Sequence, residues 1–257
     1  MNRSPYLVPG LERGLRLLQL FRPGRTEIGA PDIARELALP RTTAFRLLQT
    51  LESLDFVERT SAGAFRLGPA VLRLGFELVS SLDVGERGAE VLEKLSRDSG
   101  ESTQLAILDG RELVVVLKKT PSSAFASNVQ VGTRMPAHAT VVGRTLLQDH
   151  DAGALRKLFP ERQLKAYTPQ TPKTVAELER LIAQDRARGY ALSESAYESS
   201  ISAVAVPVRN HESRVVAALS IIVARSRLEP RRREELAQRA IAAAAELSRR
   251  LSYRQAA

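Results

Sequence analysis

The feature that most restricts the fold of this chain is a set of three short amphipathic helices within its first 68 residues. Apolar residues recur at helical spacing in each of them, and prolines mark their limits. The first helix ends at Pro23, and the second opens at Pro31, because a first helical turn tolerates proline. The third is predicted over residues 42–54, directly after Pro40. Periodicity and turn residues alone therefore predict three consecutive helices.

A β-hairpin is predicted directly after the third helix. Residues 56–59 and 64–67 alternate apolar and polar side chains on either side of the loop Ser61-Ala62-Gly63. Alternation around a glycine-containing loop is typical of a hairpin. Three helices followed by a hairpin are the outline of a winged helix-turn-helix. Residues 1–68 are therefore predicted to be a winged helix-turn-helix domain that binds DNA.

The remainder of the chain predicts a connector helix and a larger second domain. A chain of 257 residues is long enough for two domains, and its composition, 44% hydrophobic and 26% charged, is that of a globular protein. Helical periodicity covers the connector, residues 69–84, with a break expected near residues 83–88. Residues 85–257 mix strands and helices, which makes the fold class α+β. The expected strands are 104–108, 113–117, 204–208 and 215–223, and the expected helices are 137–147, 174–188 and 230–251.

The chain has no cysteine and only three histidines, His138, His150 and His211. The lack of cysteine excludes disulfides, thiolate zinc sites and thiol nucleophiles. The histidines do not fall at a metal-binding helical spacing, so neither a metal nor a cofactor is expected. No apolar run approaches the ~18 residues of a membrane helix, and the N-terminus lacks the apolar stretch of a signal peptide. The chain is therefore expected to be cytoplasmic.

The net charge of the chain suggests a polyanionic partner. Lys and Arg number 38 against 29 Asp and Glu, which gives a formal charge of +9. Such an excess is typical of proteins that bind nucleic acid or an anionic membrane surface. A basic cytosolic protein without a polyanionic partner can carry the same charge, so net charge alone does not decide between these interpretations.

The face of the third helix opposite its leucine stripe is suited to reading DNA. In a helix-turn-helix the second helix of the pair enters the major groove and presents its N-terminal residues to base edges. Arg46 can donate two hydrogen bonds to guanine, Gln49 can pair with adenine, and Phe45 can contact thymine methyl groups. The candidate DNA-binding residues are Arg41, Thr42, Thr43, Phe45, Arg46 and Gln49 on this helix, with Arg59 and Arg66 in the hairpin.

Each of these residues also has an ordinary structural interpretation. The set is compatible with a solvated helix face, Thr42 is of a type that caps helix N-termini, and Phe45 can fold back onto its own domain. Together with the hairpin and the basic excess, DNA binding is the favoured interpretation.

Segments in order along the chain resemble IclR-type transcriptional regulators. They are residues 8–15 (VPGLERGL), 39–48 (LPRTTAFRLL), 64–69 (AFRLGP), 105–110 (LAILDG), 135–140 (MPAHAT) with Gly143-Arg144, and 205–208 (AVPV). The resemblance runs from about residue 6 to residue 251. It implies a C-terminal α/β domain similar to GAF-type ligand-sensing folds, which binds a small metabolite. It also implies binding to palindromic promoter sites.

The resemblance implies a homodimer or a dimer of dimers. Dimeric binding agrees with the physics, because one short helix reads too few base pairs for genomic specificity. The connector is rich in apolar residues for a surface helix, and these either pack on the first domain or form a dimer interface. A dimer interface is favoured. The residues concerned are Val71, Leu72, Leu74, Phe76, Leu78 and Val79. RNA polymerase is a further candidate partner, and no membrane partner is expected.

The resemblance also implies an effector site, residue by residue. In family members that bind short keto- or aldehyde-acids, the ligand carboxylate meets backbone N–H groups that here belong to Val141 and Val142. The other implied positions are His138, Thr140, Ser193, Ala203, Ser220 and Ile222. A histidine such as His138 is as compatible with a role in the core as with ligand binding.

Four of these effector positions are larger, less polar or uncharged compared with the family pattern. This disfavours a glyoxylate-like effector, and an apolar lining favours more carbon surface, at about 0.8 kcal/mol per buried methylene. Residues 136–137, 143–144 and 205–207 resemble the branch that senses aromatic acids. The expected effector is therefore an aromatic or otherwise bulky organic acid, and the expected target is a catabolic operon.

Two other classes of protein fit parts of the sequence. The first is a metabolite-binding enzyme with an accessory helical domain, but phosphate-binding glycine loops, Gly-x-Ser-x-Gly and His-Glu-x-x-His are all missing. The polar cluster in residues 193–200 lacks an adjacent histidine and is more typical of a polar loop beside a pocket. The second is a membrane-surface protein that uses Arg231-Arg232-Arg233, a run more typical of the solvated start of a helix. The chain is therefore expected not to be an enzyme.

Overall fold

The structure is a computed structural model that describes residues 6–22, 24–81, 83–121, 129–194, 196–198 and 200–252. Of residues 76–81, 83–85, 193, 194, 227 and 252, only the backbone is described. The chain divides into two compact units, Met1–Ser81 and Leu82–Ala257.

The N-terminal unit is a winged helix-turn-helix, as predicted, followed by a further helix. The two strands of the hairpin pair antiparallel, with Glu58 opposite Arg66. The elements are α1 (Pro9–Leu18), α2 (Ala30–Glu36), α3 (Arg41–Ser53), β1 (Val57–Arg59), β2 (Phe65–Leu67) and α4 (Pro69–Ser81).

One apolar cluster holds this unit together. The hairpin is attached to it through Phe65, whose backbone exchanges two hydrogen bonds of 2.9 Å with Ile28, just before α2. Burying the cluster stabilises three helices that are too short to be stable alone. Its fully buried members are Leu17, Ile28, Ile33, Ala34, Ala44, Leu48, Val57 and Phe65.

The turn between α2 and α3 is tight, and its stereochemistry fixes where α3 begins. Ala38 has a φ of 51°, in the left-handed region that most residues avoid. The N–H of Leu39 donates to the carbonyl of Ala34 at 2.8 Å, which closes the end of α2. Pro40 is the N-cap of α3, so the helix begins one residue earlier than the predicted 42–54.

The spacing of Leu11, Leu15, Leu18 and Phe21 predicts one apolar stripe for the first helix, but only Leu18 and Phe21 of this set pack against the apolar cluster, beside Leu17. Leu17 is fully buried, whereas Leu11 and Leu15 are 62% and 53% exposed. Leu7 and Val8, just before the helix, are also exposed. Within one chain, α1 therefore carries an uncovered apolar strip, formed by Leu7, Val8, Leu11 and Leu15.

The C-terminal unit is built on one six-stranded antiparallel sheet with the strand order β5-β4-β3-β8-β7-β6. Its strands are β3 (Ser102–Asp109), β4 (Glu112–Lys119), β5 (Arg134–Pro136), β6 (Ala191–Glu194), β7 (Ile201–Arg209) and β8 (Val215–Ala224). Its helices are α5 (Asp83–Ser99), α6 (Val141–Leu146), α7 (Ala152–Leu158), α8 (Val175–Arg188) and α9 (Pro230–Ser252), with short 3₁₀ turns at Ala137–Ala139 and Arg225–Arg227.

The two faces of the sheet carry side chains of different size. Successive residues of a strand point to opposite faces. Large residues such as Leu105, Val204 and Leu219 pack against α5 and α9 on one face. The residues beside them in sequence are small and face α6, namely Ala106, Ala203, Ala205 and Ala218. The unit is thus a three-layer arrangement with its larger core on the α5–α9 side.

Two elements differ from the sequence-based expectation. Residues 83–88, where a break was expected, are helical as the start of α5. At Gly88 an added Cβ would lie 3.1 Å from a methyl carbon of Leu105, so this glycine permits close packing on the sheet. The predicted polar loop at 193–200 begins as a strand, because the backbone of β6 pairs with β7, with Ser193 opposite Ala203.

Helix α6 has only six residues, and one glycine sets its position. The Thr140 hydroxyl caps it by accepting a hydrogen bond of 3.0 Å from the N–H of Gly143. A Cβ added to Gly143 would lie 2.2 Å from the carbonyl oxygen of Ala137 and 2.3 Å from its Cα. The backbones of α6 and of the preceding 3₁₀ turn therefore approach as closely as only glycine allows.

Gly143→Ala is expected to destabilise the C-terminal unit by about 3 kcal/mol, because backbone atoms would have to move apart. The matched control is Gly153→Ala in α7, where the added Cβ meets only the side chain of Asp151, at 3.2 Å. Urea unfolding followed by tyrosine fluorescence measures both, since four of the five tyrosines lie beyond residue 81. Equal stability of the two variants would contradict the proposed close approach.

Candidate DNA-binding surface and effector cavity

The predicted DNA-binding residues of α3 share one outward face of that helix. Ala44 and Leu48 on the opposite face are buried in the apolar cluster. Phe45 is 47% exposed, so its ring does not fold back fully onto the domain. Thr42 is not a cap, because Pro40 is the N-cap and no side chain caps this helix. Exposed on the outward face are Arg41, Thr42, Phe45, Arg46 and Gln49, with Thr43 half-buried.

The arginines of this surface differ in whether their charge is already paired. Within the described part of the chain, the guanidinium groups of Arg41 and Arg46 make no hydrogen bond or ion pair. In the hairpin, Arg66 donates to Glu58 at 2.8 and 2.9 Å. Arg59 lies over the ring of Phe65, 6.0 Å from its centroid. Exposed ion pairs contribute little stability, so the pairing of Arg66 is readily exchanged for a phosphate.

The C-terminal unit contains a cavity between the small-residue face of its sheet and α6. Its volume is about 90 Å³, several times the roughly 10–15 Å³ that one buried water needs. Five of the eight predicted effector residues line it, namely Thr140, Val141, Val142, Ala203 and Ile222.

His138 and Ser220, two of the other three predicted effector residues, are buried and are not part of the lining. The Nε2 atom of buried His138 lies 2.9 Å from the carbonyl oxygen of Lys165, and its ring packs edge-on against Phe159. The side chain of Ser193 lies outside the described residues. Ser220 is fully buried on β8, on the same side of the sheet as the lining residue Ile222.

The cavity floor contains a polar residue that the sequence reasoning missed, Gln104 of β3. It is opposite Ser220 of β8 in the strand register and lines the cavity. Neither the Oε1 atom of Gln104 nor the Oγ atom of Ser220 has a hydrogen-bond partner among the described residues. Leaving such a buried group unpaired costs about 1–3 kcal/mol. The available signal was a polar side chain directly before the apolar run 105–108 of a central strand.

The cavity mouth is formed by residues 196–198, which a threonine holds in place. The hydroxyl of Thr171 donates to the carbonyl of Ala196 at 2.6 Å. The ring of Tyr197, which lines the cavity, packs against Tyr167 with the ring centroids 5.0 Å apart. Burial raises the pKa of the Tyr197 phenol, and neighbouring Tyr167 and Glu198 raise it further. The mouth is therefore aromatic and its phenol stays protonated at neutral pH.

The cavity has little charge in its wall. Among the described lining residues, Glu198 is the one charged side chain. The ammonium group of Lys118 lies close by, since it donates to the carbonyl of the lining residue Val129 at 2.5 Å. Lys118 is also opposite Gln104 in the strand register. Burial lowers the pKa of the Lys118 ammonium group.

A buried ion pair fastens α6, the cavity wall, to its neighbours. Arg144 of α6 donates to the carboxylate of Asp185 on α8 at 2.9 Å and to the carbonyl of Leu192 on β6 at 2.9 Å. Both charged groups are almost completely buried. Arg188 donates to the second carboxylate oxygen at 2.7 Å, from a more exposed position.

The described residues offer neither a metal site nor a membrane span. Within the ranges given above, no three His, Asp or Glu side chains are grouped so that they could hold a metal ion. Over the same ranges, every helix is too short or too polar to cross a membrane.

A winged helix-turn-helix with an exposed recognition helix, joined in one chain to an α/β unit with a small-molecule cavity, is typical of DNA-binding regulators that respond to an effector. Residues 10–61 match the IclR helix-turn-helix domain, and residues 76–249 match the family described as bacterial transcriptional regulator IclR C-terminal. The chain belongs to the IclR family of bacterial transcriptional regulators. It is a DNA-binding regulator with an effector-binding domain.

Individual relatives agree with this assignment. The chain is 36% identical over 252 residues to the HTH-type transcriptional regulator XynR of Escherichia coli (strain K12), covering 96% of this chain and 98% of XynR. The crystal structure of an IclR transcriptional regulator from Alicyclobacillus acidocaldarius matches with a TM-score of 0.85 and 29% identity, over 96% of this chain and 100% of that one. An IclR homolog from Microbacterium hydrocarbonoxydans, complexed with 4-hydroxybenzoate, matches with a TM-score of 0.84 and 27% identity, over 94% and 98%. These matches exclude the enzyme alternative.

Arg144→Met is expected to destabilise the C-terminal unit by about 3–5 kcal/mol, because it leaves the buried carboxylate of Asp185 without its buried partner. Arg188→Met is the matched control on the same carboxylate, and its more exposed ion pair is expected to contribute about 1 kcal/mol or less. Urea unfolding measures both variants. A loss in Arg188→Met as large as that in Arg144→Met would contradict the assigned role of Arg144.

Proposed function

We propose that this regulator binds a palindromic promoter site as a homodimer or a dimer of dimers, and that an aromatic or similarly bulky organic acid bound in the cavity controls it. Its target is then a catabolic operon, and its place of action is the cytoplasm, where promoter DNA lies. The observation that carries the proposal is the cavity between α6 and the small-residue face of the sheet, which is lined by five predicted effector residues.

Two features support DNA reading by α3. Arg41 and Arg46 present unpaired guanidinium groups near its N-terminal end, and this end of a recognition helix meets the bases. The hairpin supplies Arg59 and Arg66 as candidate backbone or minor-groove contacts.

Uncovered apolar surface supports the homodimer. The α1 strip of Leu7, Val8, Leu11 and Leu15 is exposed in the single chain. On the connector helix α4, Leu72 and Leu74 are 75% and 60% exposed, and the side chains of Phe76, Leu78 and Val79 lie outside the described residues. A second copy that covers these leucines would also place two recognition helices on one operator, as a palindrome requires.

The lining of the cavity supports a ligand with substantial carbon surface. Val141, Val142 and Ile222 present aliphatic groups, and Tyr197 adds an aromatic ring at the mouth. The relative from Microbacterium hydrocarbonoxydans, crystallised with 4-hydroxybenzoate, shows that a protein of this fold takes an aromatic acid. The ligand carboxylate is expected at the N–H groups of Val141 and Val142, as the family resemblance implies.

Control by the ligand requires that it bind the DNA-competent and DNA-incompetent states with different affinity.

RNA polymerase is the further partner that we propose, because a regulator bound beside a promoter acts on transcription initiation. The direction of regulation follows from the position of the operator relative to the promoter.

Arg46→Ala is expected to remove discrimination at one base-pair position, worth about 1–3 kcal/mol, because a bidentate contact to guanine would be lost. Arg41→Ala is the control, and it is expected to weaken binding equally on operator and random DNA and to lower the salt dependence. Fluorescence anisotropy on operator variants measures both effects, and a footprint shows whether two half-sites are covered. Equal losses on operator and random DNA for Arg46→Ala would assign it to a phosphate instead.

An aromatic acid such as benzoate is expected to raise the Tm of the protein by about 5–10 °C at roughly 100 times its Kd, and glyoxylate is expected to have little effect. Ala203→Met should abolish the shift by filling the cavity. Ala176→Met, at an exposed position of α8, should leave the shift unchanged. Strong stabilisation by glyoxylate without any by aromatic acids would reverse the proposed ligand class.

A further inference from the structure

The lining of the cavity is almost inaccessible to solvent, so a molecule that enters has to displace part of the wall. The lining residues Val142 and Ile222 are each 3% exposed. The sheet forms the floor, and the buried guanidinium group of Arg144 joins α6 to α8 and β6. The mouth segment, residues 196–198, borders solvent, since Tyr197 is 36% exposed. The mouth is therefore the part of the wall that we expect to open.

Residues 164–173, here called the strap, form a loop whose two ends meet. The N–H of Leu164 donates to the carbonyl of Lys173 at 2.9 Å. A loop of about this length with its ends close together is an Ω-loop, a kind of segment that frequently serves a function. Within the strap, the N–H groups of Tyr167 and Thr168 both donate to the hydroxyl of Thr171, at 3.1 and 3.0 Å. These internal contacts indicate that the strap moves as one piece.

The strap holds the mouth of the cavity. The hydroxyl groups of Thr171 and Thr168 donate to the carbonyl of Ala196 at 2.6 and 3.1 Å. The ring of Tyr167 packs on that of Tyr197, with the centroids 5.0 Å apart. A displacement of the strap would therefore carry the mouth with it.

His138 joins the strap to the fixed wall of the cavity. It lies in the 3₁₀ turn directly before α6 and is 6% exposed. Its Nε2 atom donates to the carbonyl of Lys165 at 2.9 Å, because a carbonyl oxygen can only accept. Its ring centroid is 6.2 Å from that of Tyr167. The turn itself is fixed, since the close approach at Gly143 packs α6 directly against Ala137.

We propose that His138 is a positioning residue whose hydrogen bond to Lys165 is a latch, and that release of this latch lets the strap and the mouth lift together and admit a small molecule. This inference rests on the proposed effector function of the cavity, for which the latch sets the rate of ligand entry and exit. His138 thus acts on binding without touching the ligand, in agreement with its place outside the described lining.

The test uses a single introduced thiol, because the chain has no cysteine of its own. Ala203→Cys places the thiol in the cavity lining, at a position that is 8% exposed. Its rate of reaction with methyl methanethiosulfonate, a small thiol reagent, reports how often the full-length protein opens. Adding His138→Leu is expected to raise this rate about tenfold, because opening no longer breaks the hydrogen bond to Lys165. His138→Gln, whose amide N–H replaces the lost donor, is expected to restore the parent rate.

A second pair of variants compares the strap with the rest of the unit. Thr171→Val removes the hydroxyl that holds Ala196 and is expected to raise the rate as His138→Leu does. Thr103→Val is the matched control, because the Thr103 hydroxyl is equally buried and donates to the carbonyl of Leu92 at 3.1 Å, on the opposite face of the sheet. A local opening of the mouth leaves that bond intact, so Thr103→Val should not change the rate at Ala203→Cys.

A thiol at Ala217 instead reports unfolding of the whole unit. Ala217 is fully buried in the core on the α5–α9 side. Global unfolding exposes much surface and is favoured by urea, whereas a local opening exposes little surface. The rate at Ala203→Cys is therefore expected to change little in urea below the unfolding transition, while the slower rate at Ala217→Cys rises.

The outcomes separate the latch from a general loss of stability. An unchanged rate at Ala203→Cys in His138→Leu would overturn the latch. An equal gain from Thr103→Val would also overturn it, since labelling would then proceed through unfolding. A rate in His138→Gln as high as in His138→Leu would show that the hydrogen bond does not hold the strap. The assay contains no effector, so a failure of benzoate to bind would count against the proposed ligand class and not against the latch.

Discussion

The C-terminal unit depends on one regularity, the alternation of large and small side chains along its central strands. On β8, Leu219 and Ile221 point to the α5–α9 face, while Ala218 and Ser220 point to the α6 face. The large residues form a continuous core that carries the stability of the sheet. The small residues leave unfilled space on the other side, so a cavity exists without a gap in the main core.

Helix α6 covers the face of the sheet that carries the small residues, and its own contacts fix its position there. Gly143 brings it against the preceding 3₁₀ turn, and Thr140 caps it. The Arg144–Asp185 pair then joins it to α8. The pair is buried, so its desolvation is compensated only while the geometry is kept. The buried ion pair that fixes the position of α6 therefore also helps to fix the shape of the cavity.

Sequence reasoning succeeded where the stereochemistry of single residues decides the structure. Pro31 opens α2, and Gly189, with a φ of 83°, ends α8 at the predicted residue. It failed where pairing between distant segments decides. The second half of strand β6, Ser193-Glu194, has the polar composition of a loop and is a strand because β7 pairs with it. Gln104 lines the cavity because the fold brings it beside residues that are distant in sequence, and no local pattern shows which residues those are.

The walls of the cavity differ in how firmly their contacts hold them in place. Two hydrogen bonds from the buried guanidinium group of Arg144 join helix α6 to α8 and β6. Gly143 packs the helix directly against the preceding 3₁₀ turn. The segment 196–198 at the mouth is held by the hydroxyls of Thr168 and Thr171, which donate to the carbonyl of Ala196, and by the packing of Tyr197 on Tyr167. If the cavity is the effector site that we propose, a long ligand is expected to displace the mouth rather than α6.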